Sequence, residues 1–289
     1  MPVVSELAWV DGALVPREQG APSLASSTFH MGTGVFDGLM AYWNDDHFNL
    51  HRVREHLERF RTGAARMDLP FEWTVEQLEE GIRELLASCP PARSYYVRPI
   101  AFRGAPEIML VASRELAVNV CVFAVEVQRD VAEPMAGTIV PVERVSSRAI
   151  PVAWKVCGTY ANSFLAQRTA YERGADVGVL LDRAGRLAEG ATSNLFLIRD
   201  GTLVTPALDA DVFPGITRRM VLEIAQRAGI EAVERPVAPQ ELASCDGAFL
   251  ASTMLELRPL SRIDEARFAS AEHPLFHRVR AEFDAVTHA

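Results

Sequence analysis

The stretch Lys155-Val156-Cys157-Gly158-Thr159-Tyr160-Ala161-Asn162-Ser163 contains the only lysine of a 289-residue chain. All other members of the 29 Lys and Arg residues are arginines. A composition bias toward arginine would remove lysine wherever arginine can replace it. Arginine cannot replace an amine that must lose its proton and form a Schiff base, because a guanidinium stays protonated. Lys155 is therefore either an accident of composition or a covalent catalyst, and the count alone does not decide between them.

Composition and charge exclude several classes of protein. The net charge is −9 and no basic block occurs, so nucleic-acid binding is not expected, because phosphate contacts need clustered Lys or Arg. No apolar run approaches the ~20 residues that span a bilayer, and residues 1–6 lack the order of a signal peptide. The four cysteines form no CxxC pair, which argues against a zinc ribbon or a disulfide framework. We therefore expect a cytoplasmic protein with no membrane and no nucleic-acid partner.

Chain length and one polar segment predict two domains. At about 150 residues per domain, a chain of 289 residues suits two. Residues 128–137 are polar and contain Pro and Gly, which predicts an interdomain linker. The linker divides the chain into a smaller N-terminal domain, 1–127, and a larger C-terminal domain, 138–289. Strands and helices are mixed in both halves, which predicts α+β or α/β domains.

Turn chemistry and hydrophobic periodicity predict the individual elements. Asp11-Gly12 is a two-residue turn signal and predicts a hairpin over 8–15. Thr74, with Gln77 three residues later, predicts the start of a helix over 74–87. Further helices are predicted over 51–66, 159–173, 216–228 and 274–286. Strands are predicted over 95–102, 116–127, 137–145, 176–182, 193–198, 202–205, 231–237 and 247–251.

A predicted helix start at residues 213–218 (Phe-Pro-Gly-Ile-Thr-Arg) is a candidate anion site. The first N–H groups of a helix have no partner within the helix, and its dipole favours a negative ligand. Gly215 allows close approach, so the N–H groups of Ile216 and Thr217, with the Thr217 hydroxyl, could hold a phosphate. An ordinary helix start after a Pro-Gly turn explains the same residues, and that alternative stays open.

Three more features have both a chemical and a structural interpretation. Glu189, in the run 187–196, is either a buried carboxylate that pairs with a protonated ring nitrogen or a turn acid in water. Arg59 shares a helix face with His56 and is either a phosphate clamp or a solvated charge. Thr253 follows an apolar strand and is either a phosphate hydroxyl or a structural strand end. No HExxH motif, P-loop, dinucleotide fingerprint or GxSxG elbow is present, and no metal site is expected.

Taken in order, these segments resemble one enzyme family, the class IV (fold type IV) pyridoxal-phosphate aminotransferases. The matching segments are residues 155–163, AEGATSNLF at 188–196, FPGITR at 213–218, FLAST at 249–253 and, in the family's N-terminal domain, GVFDGLMAY at 34–42 and REHLERF at 54–60. Their spacing agrees, because Tyr160 is five residues and Glu189 is 34 residues after Lys155. The resemblance spans nearly the whole chain. It implies the two-domain D-amino-acid aminotransferase-like fold, with a smaller N-terminal α/β domain, and a homodimer.

The resemblance also implies a role for each matching residue. Lys155 would form the Schiff base with pyridoxal 5′-phosphate (PLP) and later move the proton between Cα and C4′. Tyr160 would hydrogen-bond the phenolic oxygen of the cofactor. Glu189 would keep the pyridine nitrogen protonated, which makes PLP an electron sink. The residues that would hold the phosphate are Arg59, Ile216, Thr217 and Thr253.

The substrate residues resemble those of the branched-chain L-amino-acid aminotransferases within this family. Tyr96-Val97-Arg98-Pro99 matches their Tyr-x-Arg-Pro strand, whose Tyr and Arg help to bind the carboxylate side of the substrate. Phe36 matches a Phe that lines the side-chain pocket. Two departures alter this half of the site: Met31 stands where these enzymes usually have Tyr, and the loop that begins at Arg103 lacks their glycine-rich stretch. Arg103 is either a surface charge or a partner for an acidic or polar substrate tail.

We therefore expect an aminotransferase that moves an amino group between an L-amino acid, branched-chain or pathway-specific, and a 2-oxo acid such as 2-oxoglutarate. Three alternatives stay open. A D-amino-acid or amine transaminase stays open because the substrate half of the site is altered. A PLP lyase that acts on an aminodeoxychorismate-like substrate is disfavoured by the Tyr-x-Arg-Pro strand. A non-enzymatic, PLP-holding or ligand-sensing protein is disfavoured by the presence of Lys155, Tyr160 and Glu189.

Overall fold

The structure, a computed structural model, describes residues 3–128 and 133–287. These residues form two compact units. The first unit contains 153–159 and Thr287 in addition to the N-terminal part of the chain, and the remaining residues form the second unit. Each unit is thus built from more than one stretch of sequence.

The two units differ from the predicted domains at two points. Residues 153–159, predicted in the C-terminal domain, belong to the first unit, because Cys157 N–H donates to Gly34 O at 2.8 Å. The predicted linker, 128–137, includes residues 129–132, which lie outside the described residues. Its last part is not a linker, since a strand already begins at Met135.

The described part of the first unit is a seven-stranded sheet with three helices. Its strands are β1 (Leu7–Val10), β2 (Ala13–Pro16), β3 (Val35–Phe36), β4 (Leu39–Asn44), β5 (His47–Leu50), β6 (Ser94–Phe102) and β7 (Asn119–Val127). Its helices are α1 (Ser27–Met31), α2 (Val53–Arg66) and α3 (Val75–Ala87). The strand order is β2-β1-β7-β6-β4-β5, with β3 paired to β6, and these pairings are antiparallel.

The first hairpin and α3 form where their local sequences predict them. Asp11 and Gly12 have positive φ angles of 47° and 96°, as a two-residue hairpin turn requires. The Thr74 hydroxyl accepts from Gln77 N–H while the Gln77 side chain accepts from Thr74 N–H, so a capping box starts α3. Both predictions are confirmed. The apolar faces of α2 and α3 belong to one buried core with the inner faces of the sheet, and Leu78 of α3 is fully buried there.

The described part of the second unit is a nine-stranded sheet with three helices. Its strands are β8 (Met135–Glu143), β9 (Val177–Leu181), β10 (Leu187–Gly190), β11 (Ser193–Arg199), β12 (Thr202–Pro206), β13 (Ala232–Arg235), β14 (Gly247–Ser252), β15 (Glu256–Ile263) and β16 (Ala266–Arg267). Its helices are α4 (Tyr160–Glu172), α5 (Ile216–Arg227) and α6 (Pro274–Thr287), whose last residue groups with the first unit. The order is β10-β9-β8-β15-β14-β11-β12-β13, and a further β10–β11 pairing closes six strands into a ring.

The core of the second unit contains a stacked pair of aromatic rings. Phe196 and Phe249 stack at 5.0 Å between ring centroids in a core that α5 and α6 also cover.

β15 was not predicted, because Pro259 lies inside it and Pro is disfavoured in strand interiors. In the first unit β4 was missed because Leu39–Tyr42 are all buried, which removes the alternation that marks a strand. Of the helices in the described part of the chain, none is long and apolar enough to cross a membrane.

Candidate active site

The main chain of Lys155 is fixed to β3 of the first unit. Its carbonyl oxygen accepts from Phe36 N–H at 3.3 Å, and two residues later Cys157 N–H donates to Gly34 O at 2.8 Å. Lys155 has a φ of 52°, in the left-handed region that costs a non-glycine residue roughly 1 kcal/mol or more. These hydrogen bonds hold this backbone conformation, so the position and direction of the Lys155 Cα–Cβ bond are fixed.

The amine of Lys155 lies against an aromatic ring. Its Nζ is 4.9 Å from the centroid of the Phe36 ring, and the side chain is partly buried. Loss of water around the amine lowers the pKa of Lys155, an effect that the Asp37 carboxylate opposes and the Arg59 guanidinium reinforces. A lowered pKa increases the fraction of neutral amine, the form that attacks a carbonyl carbon. The surroundings therefore favour the covalent role predicted for Lys155.

Arg59 projects from α2 onto a buried aspartate that sequence reasoning did not single out. Its Nε and Nη2 donate to the two oxygens of Asp37 at 2.7 and 2.8 Å. Asp37 has no exposed surface, and it also accepts from Gly38 N–H at 2.7 Å and from His56 Nδ1 at 2.8 Å. Burial alone would raise the pKa of Asp37, but Arg59 and His56 outweigh it and hold that pKa well below its usual range. The sequence signal that could have identified Asp37 is its place as an acid inside the apolar run 34–42.

Tyr96 and Arg98 lie on β6, as their Tyr-x-Arg-Pro motif requires, and they meet Phe36. The Arg98 guanidinium carbon is 4.5 Å from the Phe36 centroid and 5.2 Å from the Tyr96 centroid. Arg98 Nη2 donates to the Tyr96 hydroxyl at 3.3 Å. A Cβ atom at Gly38 would overlap that hydroxyl, so only glycine leaves room for Tyr96 here. Phe36, Tyr96 and Arg98 thus form one cluster within reach of the Lys155 amine.

The two remaining substrate candidates have different outcomes. Met31 is the last residue of α1 and is about two-fifths exposed, so it stays a candidate. Arg103 is buried rather than a surface charge, which corrects that interpretation. Its guanidinium donates to the Leu116 carbonyl oxygen and, at 2.9 Å, to the Asp68 carbonyl oxygen. Because these carbonyls already occupy both terminal nitrogens, Arg103 ties loops together, and we no longer assign it to the substrate.

Glu189 is a buried carboxylate of the second unit, not a turn acid in water. It lies on β10, and its Oε1 is 2.7 Å from Nε of Arg144, which is also buried. Its Oε2 accepts from Asn194 Nδ2 at 2.9 Å and from Phe213 N–H at 3.1 Å. A buried carboxylate beside a guanidinium is stabilised in its charged form, the form that pairs with a protonated ring nitrogen. Arg144 and Asn194 were not predicted, although Asn194 stands inside the AEGATSNLF motif.

Residues 213–218 begin α5 in the way that an anion site needs. Gly215 is the N-cap, and no side chain caps the first turn. Ile216 and Thr217 are buried at this helix start. Asn194 Nδ2 also donates to Phe213 O at 2.8 Å, and a Cβ atom at Gly215 would overlap the Asn194 side chain. Asn194 therefore connects Glu189 to the segment that leads into α5.

The other two predicted cofactor residues also belong to the second unit. Tyr160 is the first residue of α4, directly after the segment that carries Lys155. Thr253 is partly buried in the turn between β14 and β15. The structure thus groups Lys155 and Arg59 in the first unit and Glu189, Tyr160, Ile216, Thr217 and Thr253 in the second.

The first unit contains a lysine whose pKa is lowered by burial, and the second contains a buried carboxylate and a helix start without a side-chain cap. The family model for "Amino-transferase class IV" matches residues 34–263, so the chain belongs to the class IV aminotransferases. It is a PLP-dependent transaminase of fold type IV, and the predicted family, fold class and cofactor are confirmed.

The chain is similar to several named branched-chain aminotransferases. It is 31% identical over 274 residues to a probable branched-chain-amino-acid aminotransferase of Aquifex aeolicus. The aligned residues make up 92% of this chain and 87% of that protein. The structure resembles a branched-chain aminotransferase of Thermoproteus uzoniensis with norvaline, at TM-score 0.92, 31% identity, and coverage of 98% of this chain and 95% of that one. It also resembles an Escherichia coli branched-chain amino acid aminotransferase, at TM-score 0.92, 27% identity, and coverage of 97% of this chain and 94% of that one.

The residues of each unit fit PLP by their chemistry. In the first unit, the Lys155 amine suits the cofactor aldehyde and the Arg59 guanidinium suits a phosphate. In the second unit, Glu189 suits the pyridine nitrogen, and the uncapped N–H groups at the start of α5 suit a phosphate. Within residues 3–128 and 133–287, no group of three or more His, Cys, Asp or Glu could hold a metal ion.

Proposed function

We propose that this enzyme transfers the amino group of L-amino acids with branched, apolar side chains to 2-oxo acids such as 2-oxoglutarate. The observation that carries this proposal is the position of the Phe36 ring. The Arg98 guanidinium lies 4.5 Å from its centroid and the Lys155 amine lies 4.9 Å from it. One apolar ring therefore adjoins both a group that can bind a carboxylate and the amine that would hold the cofactor.

This cluster fits the substrate class for three reasons. A guanidinium pairs with a carboxylate by charge-assisted hydrogen bonds, and Arg98 is oriented by the Tyr96 hydroxyl. Phe36 and Tyr96 are both buried and offer apolar ring surface to a hydrocarbon side chain. The named relatives of this chain are branched-chain aminotransferases, which supports the same substrate class.

We assign the cofactor residues in the same way. Lys155 would bind PLP covalently, Tyr160 would hydrogen-bond its phenolic oxygen, and Glu189 would hold the proton on the pyridine nitrogen. The phosphate would be bound by Arg59, by the Ile216 and Thr217 N–H groups, and by Thr253. Bound PLP supplies an electron sink for the electrons of the substrate Cα–H bond.

The residues of this chain would then move the proton. With PLP bound, the neutral Lys155 amine would accept the proton from the substrate Cα and return it at C4′. Burial of the amine supports this role, because it lowers the pKa of Lys155. Arginine at this position would keep the charge but could neither bind covalently nor accept the proton.

We also propose that the enzyme is a cytoplasmic homodimer. Ser27 joins α1 to the loop at Glu107, and this region of the first unit exposes several large apolar side chains. They are Leu24, Phe29, Ile108, Met109, Leu110 and Val111. Large apolar side chains that are exposed in one region suggest an interface, and a second copy of the chain is the partner we expect. The four cysteines are free thiols, which supports a reducing compartment.

The experiment that tests the activity is a titration of the PLP-loaded protein with L- and D-amino acids, followed by visible absorbance. We expect L-leucine, L-isoleucine and L-valine to remove the band of the lysine-bound cofactor, and 2-oxoglutarate to restore it. Lys155→Arg should lack this band. The matched control combines Lys155→Arg with Arg168→Lys, which returns one lysine to an exposed position on α4 and should not recover the band.

Each alternative has its own outcome in this titration. A response to D-amino acids or simple amines in place of L-amino acids would overturn the proposed substrate and retain the enzyme class. Release of pyruvate without an amino acceptor would point to a lyase. Sedimentation of the protein as a monomer at assay concentration would overturn the homodimer.

A further inference from the structure

Asp37 is a fully buried charge that the roles assigned above do not use. Four donors surround its carboxylate: Arg59 Nε and Nη2, His56 Nδ1 and Gly38 N–H, all at 2.7 or 2.8 Å. Burial lowers the pKa of His56 despite its contact with Asp37, so the imidazole is neutral and donates. The pair Asp37 and Arg59 is therefore close to neutral overall, and three side chains of two elements hold one geometry.

The same stretch of chain carries Asp37 and the Lys155 segment. β3 pairs with β6 along one edge, where Asp37 N–H continues the ladder to Pro99 O at 3.0 Å. Along the other edge, Val35 bridges Val156, and Phe36 N–H donates to Lys155 O. Asp37 therefore follows directly after the residues that hold Lys155, and its side chain joins this strand to α2.

Several titratable groups interact with the Lys155 amine. They belong to Asp37, Arg59, His56, Tyr96, Arg98 and Cys157. Two arginines are among them, and both disfavour a protonated amine. Asp37 is the carboxylate among these groups, and its two oxygens accept the four hydrogen bonds described above.

We propose that Asp37 is a positioning residue, which orients Arg59 and balances its charge beside Lys155 although it touches neither substrate nor cofactor. The carboxylate fixes Nε and Nη2 of Arg59, so the direction of the guanidinium is set by β3. It also supplies the negative charge that keeps the Lys155 amine from losing its proton too readily. This inference rests on the proposed roles of Lys155 and Arg59, and it adds the residue on which both depend.

The only lysine of the chain makes the charge effect measurable without any activity. The full-length, cofactor-free protein is treated with an amine-acylating reagent across a pH series, and the acylated peptide of Lys155 is quantified by mass spectrometry. The variants are Asp37→Asn, Asp37→Glu, Arg59→Gln and the double variant Asp37→Asn/Arg59→Gln. Asp182→Asn is the matched control, because Asp182 is a buried, arginine-paired aspartate of the second unit.

We expect the wild-type midpoint of acylation to lie below 10.5, the usual lysine value. Asp37→Asn should lower the midpoint by about one pH unit, because the anion that stabilises the ammonium is lost. Arg59→Gln should raise it, and the double variant should return close to wild type. Asp37→Glu should restore most of the difference, and Asp182→Asn should change nothing. An Asp37→Asn midpoint equal to wild type, or a double variant that stays at the Asp37→Asn value, would overturn the proposal.

Two further comparisons keep the test decisive. If Asp37→Asn does not fold, as judged by circular dichroism, the double variant is compared with Arg59→Gln, and the proposal requires the lower midpoint in the double variant. Orientation of Arg59 is tested by the ratio of affinities for PLP and for pyridoxal, which lacks the phosphate. Asp37→Asn should reduce this ratio about tenfold, since a misdirected guanidinium loses a charge-assisted contact of roughly that worth.

The proposed function and the role of Asp37 fail in different ways. A wild-type protein that shows the expected acylation profile but never binds PLP covalently would overturn the function and leave the charge role of Asp37. A protein that binds PLP and transaminates, but shows no shift in Asp37→Asn and an unchanged affinity ratio, would reduce Asp37 to a structural residue.

Discussion

Asp37 in the first unit and Glu189 in the second are both buried carboxylates beside a buried or nearly buried arginine, yet their surroundings differ. Asp37 is hydrogen-bonded by Nε and Nη2 of Arg59 and by two further donors. Glu189 is 2.7 Å from Arg144 Nε, but this contact lacks the alignment of a hydrogen bond. Asn194 Nδ2 and the Phe213 N–H donate to its other oxygen, Oε2.

This difference indicates that the two carboxylate–arginine pairs have different roles. The Asp37 carboxylate is enclosed by its own protein, so its charge orients a neighbouring side chain. The Glu189 carboxylate is held in place at Oε2 and lies beside the Arg144 guanidinium, which suits its proposed role of pairing with a ring nitrogen. Pairing with arginine therefore does not indicate the role of a buried acid; the alignment of its donors does.

The largest expected effects come from removing each of these charges. Asp37→Asn should lower the free energy of unfolding by about 3 kcal/mol, because it leaves the Arg59 charge uncompensated. Glu189→Gln leaves the more deeply buried guanidinium of Arg144 without its carboxylate, so it should cost a similar amount of stability, and it should in addition lower kcat about 100-fold. Urea unfolding and steady-state kinetics measure the two effects.

Tryptophan fluorescence is a suitable probe for the first of these variants. The four tryptophans, Trp9, Trp43, Trp73 and Trp154, all belong to the first unit. Asp46→Asn removes an aspartate that is 90% exposed and should leave the transition unchanged. An equal loss of kcat in Asp37→Asn and Glu189→Gln would remove the distinction between the two acids.

Two glycines offer a smaller, paired test of the two units. Gly38→Ala would push the Tyr96 hydroxyl away from Arg98, and Gly215→Ala would push Asn194 away from Glu189. We expect Gly38→Ala to raise KM for the amino donor and Gly215→Ala to weaken PLP affinity, each roughly tenfold, since overpacking costs about 1–3 kcal/mol.

The control for the glycine pair is a position with space around it. No atom lies within 4 Å of a Cβ placed at Gly185, where φ is 74°, and asparagine tolerates that conformation. Gly185→Asn should leave both constants unchanged. A change of PLP affinity in Gly38→Ala and of KM in Gly215→Ala would reverse the assignment of the two clusters.

The smallest expected effect is a pH dependence of the first unit. Burial lowers the pKa of His51 to about 4 from its usual 6.5, so the folded protein keeps this imidazole neutral. Between those two pH values the unfolded chain binds a proton that the folded chain does not, and stability falls as the pH decreases. His51→Gln should reduce this loss by about 1 kcal/mol, after allowance for the partial exposure of the ring.

Urea unfolding at pH 7 and pH 4.5, followed by tryptophan fluorescence, measures this slope. His47→Gln is the matched control, because His47 is an exposed histidine on the neighbouring strand. An identical slope for wild type and His51→Gln would assign the acid sensitivity of the first unit to other groups.

The residues that we assign to the cofactor could be proposed from sequence because each stands in a short, contiguous motif. Lys155, Glu189 and Thr217 have neighbours that identify them, and the turn at Asp11-Gly12 likewise depends on adjacent residues. The partners of the buried acids could not be predicted in this way. Asp37 and Arg59 are 22 residues apart, and only the pairing of β3 with its neighbours brings the strand to α2.

Arg103 shows the opposite limit of sequence reasoning. Its position after the Tyr-x-Arg-Pro strand suggested a surface charge or a substrate contact, because sequence alone does not show which carbonyl groups remain without partners. The fold leaves the Leu116 and Asp68 carbonyls next to its guanidinium. Backbone groups that need a donor therefore decided the role of this arginine.

Because residues 153–159 belong to the first unit, that unit cannot be completed early in translation. The ribosome releases β1 to β7 well before the Lys155 segment, which must close a loop of more than a hundred residues to reach Gly34 and Phe36. The hydrogen bond from Asn49 of β5 to the Thr287 carbonyl oxygen forms later still, since Thr287 follows 238 residues after Asn49. The nascent first unit therefore remains without its reactive amine until the Lys155 segment emerges, and the cofactor can be bound covalently only after that point in translation.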